Sequence, residues 1–232
     1  ASLGDTVWFD ADADGVQDLG EPGVAGLVVE LLDATSSVVA TDTTDASGTY
    51  GFAGLEPGDY SVRVAGTGLV FTAQDSGGDD AIDSDVDGTG ASAAVTLISG
   101  QANTSVDAGI IPSRLGDRVF VDLDGDGQAE PGEPGHAGVT IELLDDHGVV
   151  VATTTSAADG SYLFDFLLPA DYQVRFTAPA GYEFTAQDAV GDAVDSDADA
   201  SGLTALITLP GDTDDDTVDA GLFETASVGD FV

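Results

Sequence analysis

An all-β chain of two tandem β-sandwich domains is the architecture this sequence predicts, and three observations predict it. The chain repeats itself: Leu3-Gly4-Asp5-Thr6-Val7 recurs as Leu115-Gly116-Asp117-Arg118-Val119 and again as Val228-Gly229-Asp230-Phe231-Val232, at spacings of 112 and 113 residues. Its apolar residues alternate with period two. Gly and Pro punctuate it at short intervals, and no stretch carries helical periodicity. The expected boundaries are 1–112 for the first repeat, 113–226 for the second and 227–232 for the first strand of a truncated third.

The elements follow in order. Thr6-Val7-Trp8-Phe9 reads as a strand. Leu27/Val29/Leu31 alternate with Val28/Glu30/Leu32, and Val139/Ile141/Leu143 with Thr140/Glu142/Leu144, the pattern of a strand with one face on a core. Tyr50/Phe52, Tyr60/Val62/Val64 and Val95/Leu97 continue it, as do Tyr162/Phe164, Tyr172/Val174/Phe176 and Ile207/Leu209. Turns are marked by Gly48, Pro57-Gly58, Asp159-Gly160 and Pro169. About seven short strands per repeat indicate a sandwich. The junction Ile111-Pro112-Ser113-Arg114 is short, so the two modules are expected to abut, with Asp107 and Asp117 close to the joint and repelling across it without a cation.

Composition narrows the function. The 232 residues carry 44 acids against four Arg and no Lys, a formal net charge of −40. A nucleic-acid binder needs cationic side chains to displace counterions, so nucleic acid and anionic membrane surfaces are excluded as partners. Hydrophobic residues make up 42% of the chain, enough for a real core. No apolar stretch approaches the roughly 18 residues of a membrane span, and any export signal is expected outside this segment. There is no Cys, so no disulfide staples the domains.

The chemistry lies in the acids. Asp10-Ala11-Asp12-Ala13-Asp14-Gly15-Val16-Gln17-Asp18-Leu19-Gly20-Glu21 meets every fixed position of the twelve-residue calcium loop, and so does Asp122 to Glu133. A hard cation takes six to eight oxygens. The spacing offers Asp10, Asp12 and Asp14 at loop positions one, three and five, the Val16 carbonyl at seven, Asp18 at nine and Glu21 at twelve. The second loop offers Asp122, Asp124, Asp126, Gln128, Glu130 and Glu133. The flanks are strands, so these are EF-hand-like loops without helices. A second acidic cluster, Asp75, Asp79, Asp80, Asp83, Asp85 and Asp87, is echoed by Asp188, Asp192, Asp195, Asp197 and Asp199, and reads as a weaker cation site. The run Asp212 to Asp216 reads as solvation, and His136 and His147 as solvated loop histidines. Arg63 and Arg175 are expected to pair with Glu30 and Glu142. No nucleophile motif or thiol is present, so no enzyme is expected.

These residues resemble a known family, the calcium-binding B-type modules of bacterial serine-aspartate repeat surface proteins, relatives of the collagen-adhesin B-type sandwich. The segments that carry the likeness are Leu3-Gly4-Asp5 with Trp8-Phe9-Asp10, the Asp10 to Glu21 loop with Pro22-Gly23, Gly48 to Tyr60, Gly77 to Asp85, and Asn103 to Gly109. The resemblance implies a Greek-key, prealbumin-like sandwich, Ca2+ bound through the loops and clusters just named, and a secreted, surface-attached or matrix location. Many collagen-adhesin relatives carry a Lys–Asn cross-link, impossible here without Lys. The expected function is a calcium-rigidified structural stalk or spacer. The alternative is an adhesive module binding a protein or glycan on a sandwich face. Expected partners are calcium ions, neighbouring repeats of the same chain and, as candidates, like chains in an extracellular assembly.

Overall fold

The structure is a computed structural model and describes residues 1–189, 191 and 193–225. Asp192 and the expected third-repeat strand, Val228 to Val232, lie outside them. The chain divides into two compact units, Ala1–Pro112 and Ser113–Val232. Among the described residues there is no helix.

The first unit contains β1 (Ser2–Leu3), β2 (Val7–Phe9), β3 (Val28–Asp33), β4 (Val38–Thr43), β5 (Phe52–Ala53), β6 (Gly58–Ala65), β7 (Val95–Leu97), β8 (Ala102–Asn103) and β9 (Ala108–Ile110). One sheet runs β4-β3-β6-β7, antiparallel throughout. The facing strands are β5-β1-β8 and the parallel pair β2-β9, in register Val7 to Ala108 and Phe9 to Ile110. The second and last strands of this unit therefore lie side by side.

The second unit contains β10 (Ser113–Val121), β11 (Thr140–Asp145), β12 (Val150–Thr155), β13 (Ser161–Leu167), β14 (Ala170–Phe176), β15 (Tyr182–Phe184), β16 (Ile207–Leu209), β17 (Asp214–Asp215) and β18 (Ala220–Glu224). Its sheets are β12-β11-β14-β16 and β13-β10-β18-β15, with β17 also on β10. Strand β10 is continuous where the first unit uses β1 and β2. Asp214 and Asp215 sit in a strand parallel to β10, as Ala102 and Asn103 do to β1. Asp212, Asp214 and Asp216 of this acidic run are exposed.

Alternation builds the core as expected, with one departure. Val29 and Leu31 are fully buried and Val28 is exposed, but Leu32 is buried as well. The β3–β4 register shifts between Leu31 and Leu32, and the β11–β12 register between Leu143 and Leu144. Such a bulge turns two successive side chains inward. Trp8 and its counterpart Phe120 are both fully buried, each worth about 1.5–3 kcal/mol or more in removed apolar surface. Arg63 pairs with Glu30 across β6 and β3, and Arg175 Nε donates to Glu142 Oε2 at 2.8 Å. His147 is exposed beside Asp146, whereas His136 stacks edge-on against Tyr182 and is half-buried.

Candidate metal centres

The loop 10–21 leaves β2 directly. Asp10 is fully buried, because Phe9 is the last residue of β2 and the Asp10 N–H donates to the Ile110 carbonyl of β9 (2.9 Å). Its Oδ2 accepts the Gly15 N–H (2.8 Å), and its Oδ1 is buried with no hydrogen-bond partner. Gly15 is required on two counts. Its φ is +86°, and an added Cβ would stand 2.5 Å from Ser76 Cβ and 2.7 Å from the Ala73 carbonyl. Glu21 closes the loop: Oε1 accepts from Ala11 N–H (2.7 Å) and Oε2 from Asp18 N–H (2.9 Å). One carboxylate oxygen each from Asp10, Asp12 and Glu21 fall within 4.8 Å of one another, and so do oxygens of Asp12, Asp14 and Asp18.

The second loop repeats this arrangement with a difference. Asp122, Asp124 and Glu133 converge in the same way. Asp122 accepts from Gly125 (2.6 Å), from Gly127 (2.9 Å) and from the Thr185 hydroxyl. Burial works against the Asp122 charge, but these hydrogen bonds outweigh it and hold its carboxyl below the usual range. Asp126 accepts from the Gln128 N–H and side-chain amide (2.9 and 2.8 Å). Glu130 is raised by the charges of Asp126 and Asp124. Arg118, in place of Thr6, donates to the Glu133 carbonyl (3.2 Å) and lies over Phe120.

The second acidic cluster is joined to the loop by backbone. Val16 bridges Asp83, through Gln17 N–H to Ile82 O (2.7 Å) and Ser84 N–H to Gly15 O (3.1 Å), hydrogen bonds that do not use the Val16 carbonyl. Gln128 bridges Asp195 the same way, through Ala129 to Val194 and Ser196 to Gly127. Asp80, Asp83 and Asp85 bring carboxylate oxygens within 4.8 Å, and Asp83 Oδ1 is buried without a partner. Burial first, then Asp80 and Asp75, raise Asp83; burial raises Asp85 to about 7. Asp75 and Asp188, both at φ +51°, donate their N–H groups to the Ser84 and Ser196 carbonyls. Asp79 accepts from Ala81 N–H (3.3 Å).

Asp87 and Asp199 do something else. Asp87 Oδ1 takes Thr89 N–H, Thr89 hydroxyl and Ala91 N–H, and Asp199 Oδ1 takes the same groups of Ser201 with Leu203 N–H. Those hydrogen bonds hold both carboxyls below the usual range. Asp33 caps the β3–β4 hairpin turn and Asp45 the turn that follows β4 in the same manner. Part of the acidity thus serves turns.

Two further buried acids lie outside the loop template. Asp107, 2% exposed, lies inside the first unit, and burial raises it to about 8; Asp219, 1% exposed, is raised to about 8 by burial in the second. In its own repeat the Asp107 N–H donates to Asp85 Oδ2 (2.6 Å). The signal of these two acids in the sequence was the doubled Val-Asp-Ala-Gly, 106–109 and 218–221.

The donor set is all oxygen, the carboxylates converge, and buried oxygens at Asp10 and Asp83 lack donors, so these residues suit a hard divalent cation of the calcium type.

A tandem all-β chain with one acidic loop per repeat is the class this geometry defines. The SdrD B-like domain model matches residues 1–110 and 113–222, and the chain belongs to that family. It is 36% identical to serine-aspartate repeat-containing protein F of Staphylococcus epidermidis and to serine-aspartate repeat-containing protein D of Staphylococcus aureus (strain Newman), each over 236 residues. The match covers all of this chain but 13% and 17% of those proteins. Among solved structures it is similar to the minor pilin GBS52 of Streptococcus agalactiae (13% identity, TM-score 0.37, covering 100% of this chain and 99% of that one). The shaft pilin SpaA of Lactobacillus rhamnosus GG is similar too (12% identity, TM-score 0.40, 98% of each chain).

Proposed function

We propose that each repeat is a structural spacer module of a longer extracellular surface protein, made rigid by calcium held at the loop 10–21 or 122–133 and at the adjoining acidic cluster. The observation that carries this reading is the junction of the two acidic segments. The Val16–Asp83 bridge sets the Asp10–Asp12–Glu21 group against the Asp80–Asp83–Asp85 group, and buried oxygens in both lack donors. Several carboxylates this close repel unless a cation offsets them. Calcium there would lock residues 73–85 to the loop and to β2, turning the least regular part of the repeat into a fixed one. Family membership and relatives that are serine-aspartate repeat proteins support a secreted, surface-attached setting, where affinities of 10⁻⁴–10⁻³ M suffice.

Elemental analysis after gel filtration in millimolar calcium tests this. At least one calcium per repeat is expected, with a higher melting temperature than in chelator. Fewer than two ions per chain, or superimposable melts, would refute it.

A further inference from the structure

The two repeats differ along the outer edge of one sheet. The four-stranded sheets β4-β3-β6-β7 and β12-β11-β14-β16 each begin with a six-residue strand that has a neighbour on one side only. The opposite edge strand, β7 or β16, has just three residues. A strand with one free side presents N–H and C=O groups that can pair with another chain, and proteins blunt such edges with charge or Pro.

In the first repeat the edge is blunted. Thr44 N–H points inward to the Leu27 carbonyl (2.9 Å), so Thr43 beside it turns its N–H outward. Asp42 Oδ1 accepts that N–H (2.9 Å) and Asp42 Oδ2 accepts the Gly51 N–H (2.8 Å), which sets a carboxylate on the edge. The second repeat has Thr154 in place of Asp42. There Ser156 N–H points inward to the Val139 carbonyl (3.0 Å), so Thr155 and Thr153 direct their N–H and C=O groups outward, with no carboxylate in the strand to cap them. Residues 148–158 hold no charged side chain, and Val149, Val150 and Val151 are 58%, 41% and 53% exposed. The register shift at Leu143/Leu144 leaves Ala152 to Thr155 regularly paired. Strand β12 is thus uncharged, β-branched and free of Pro, the composition that pairs most readily with another strand.

We propose that the outer edge of β12 is an interaction surface for a second copy of this chain, the two β12 strands pairing antiparallel about a two-fold axis. Charge selects this occupant. A basic partner finds no carboxylate on β12, whereas two copies, each at −40, can approach where the facing residues are neutral. With Thr153, Thr154 or Thr155 on the axis, Val, Ala, Thr and Ser face one another and no acid of either strand is opposed. An isologous contact closes on itself, so one open edge per chain gives a dimer. Six residues make a short ladder, so the contact is weak alone and gains strength where chains carry several such edges.

Sedimentation velocity of the two-repeat chain in millimolar calcium, from micromolar to millimolar protein and from low to molar salt, tests it. Wild type is expected to pass from monomer to dimer as its concentration rises, and more completely in molar salt, which screens the repulsion between two acidic chains. Thr154→Asp gives β12 the carboxylate that Asp42 gives β4, and should weaken the dimer by about tenfold or more. If that variant does not fold, Thr153→Pro decides, because it removes an outward N–H and no ladder bond. A monomer at every concentration, a dimer that dissolves in salt, or a dimer that folded Thr154→Asp or Thr153→Pro forms as well as wild type overturns the proposal.

Discussion

Raising the pH of the metal-stripped protein is expected to unfold it through a window far above that of ordinary carboxylates. Asp107 and Asp219 are pushed from 3.8 to about 8 and Asp85 to about 7, in each case chiefly by burial. A raised native pKa means that the folded state holds the proton more tightly than the unfolded chain does. Stability from these groups is complete below about pH 4 and is lost as the pH climbs to about 8. Each pKa unit corresponds to about 1.4 kcal/mol, so the charging of Asp107 alone costs on the order of 5 kcal/mol, comparable with the whole stability of a small domain. Melting followed by circular dichroism across this range, in metal-free buffer and in millimolar calcium, is the assay. Without metal the melting temperature should fall steadily between about pH 4 and pH 8; calcium should flatten the curve, since a bound cation replaces the proton. Asp107→Asn should reduce the dependence in the first repeat to the part carried by Asp85 and leave the second repeat's unchanged. A metal-free melting temperature that changes only near pH 4 would refute the reasoning, because that is where the exposed acids titrate and where general repulsion among 44 of them would act.

Three further outcomes are expected. D14A/E21A should lower calcium's protection of the first repeat, by up to about 2.7 kcal/mol per lost site at hundredfold excess over Kd, while the second transition stays in place in calorimetry. Gly15→Ala should cost the first repeat about 1–3 kcal/mol or more, since it meets both a left-handed φ and the Ala73–Ser76 segment, whereas Gly26→Ala, at φ +82° with open space around it, should cost about 1 kcal/mol in denaturant titrations. Tyr162→Phe removes a buried hydroxyl from the Val218 carbonyl and should destabilise by about 1–3 kcal/mol, but Arg63→Ala, which breaks a surface pair with Glu30, by less than about 1 kcal/mol.

The sequence by itself determined what depends on neighbours in the chain. Alternation places Val29, Leu31, Ile141 and Leu143 on one face whatever lies opposite, and the repeat doubles each inference. The loop template is legible because its candidate ligands lie within twelve residues, with Gly15 and Gly127 at the turn. The Asp-x-Ser/Thr caps at Asp87 and Asp199 were equally local, although their place in an acid-rich stretch reads as ligation. Tertiary structure decided the rest. Leu32 turns inward because β4 slips against β3, a matter of pairing rather than of either strand's pattern. Two-residue strands such as β1, β8 and β17 exist only through their partners. Whether an acid is a solvated charge or a buried one depends on what packs over it. Asp107 meets Thr6 across 101 residues and Asp85 across 22, and closure of the repeat, β2 on β9, is what takes its carboxylate out of water.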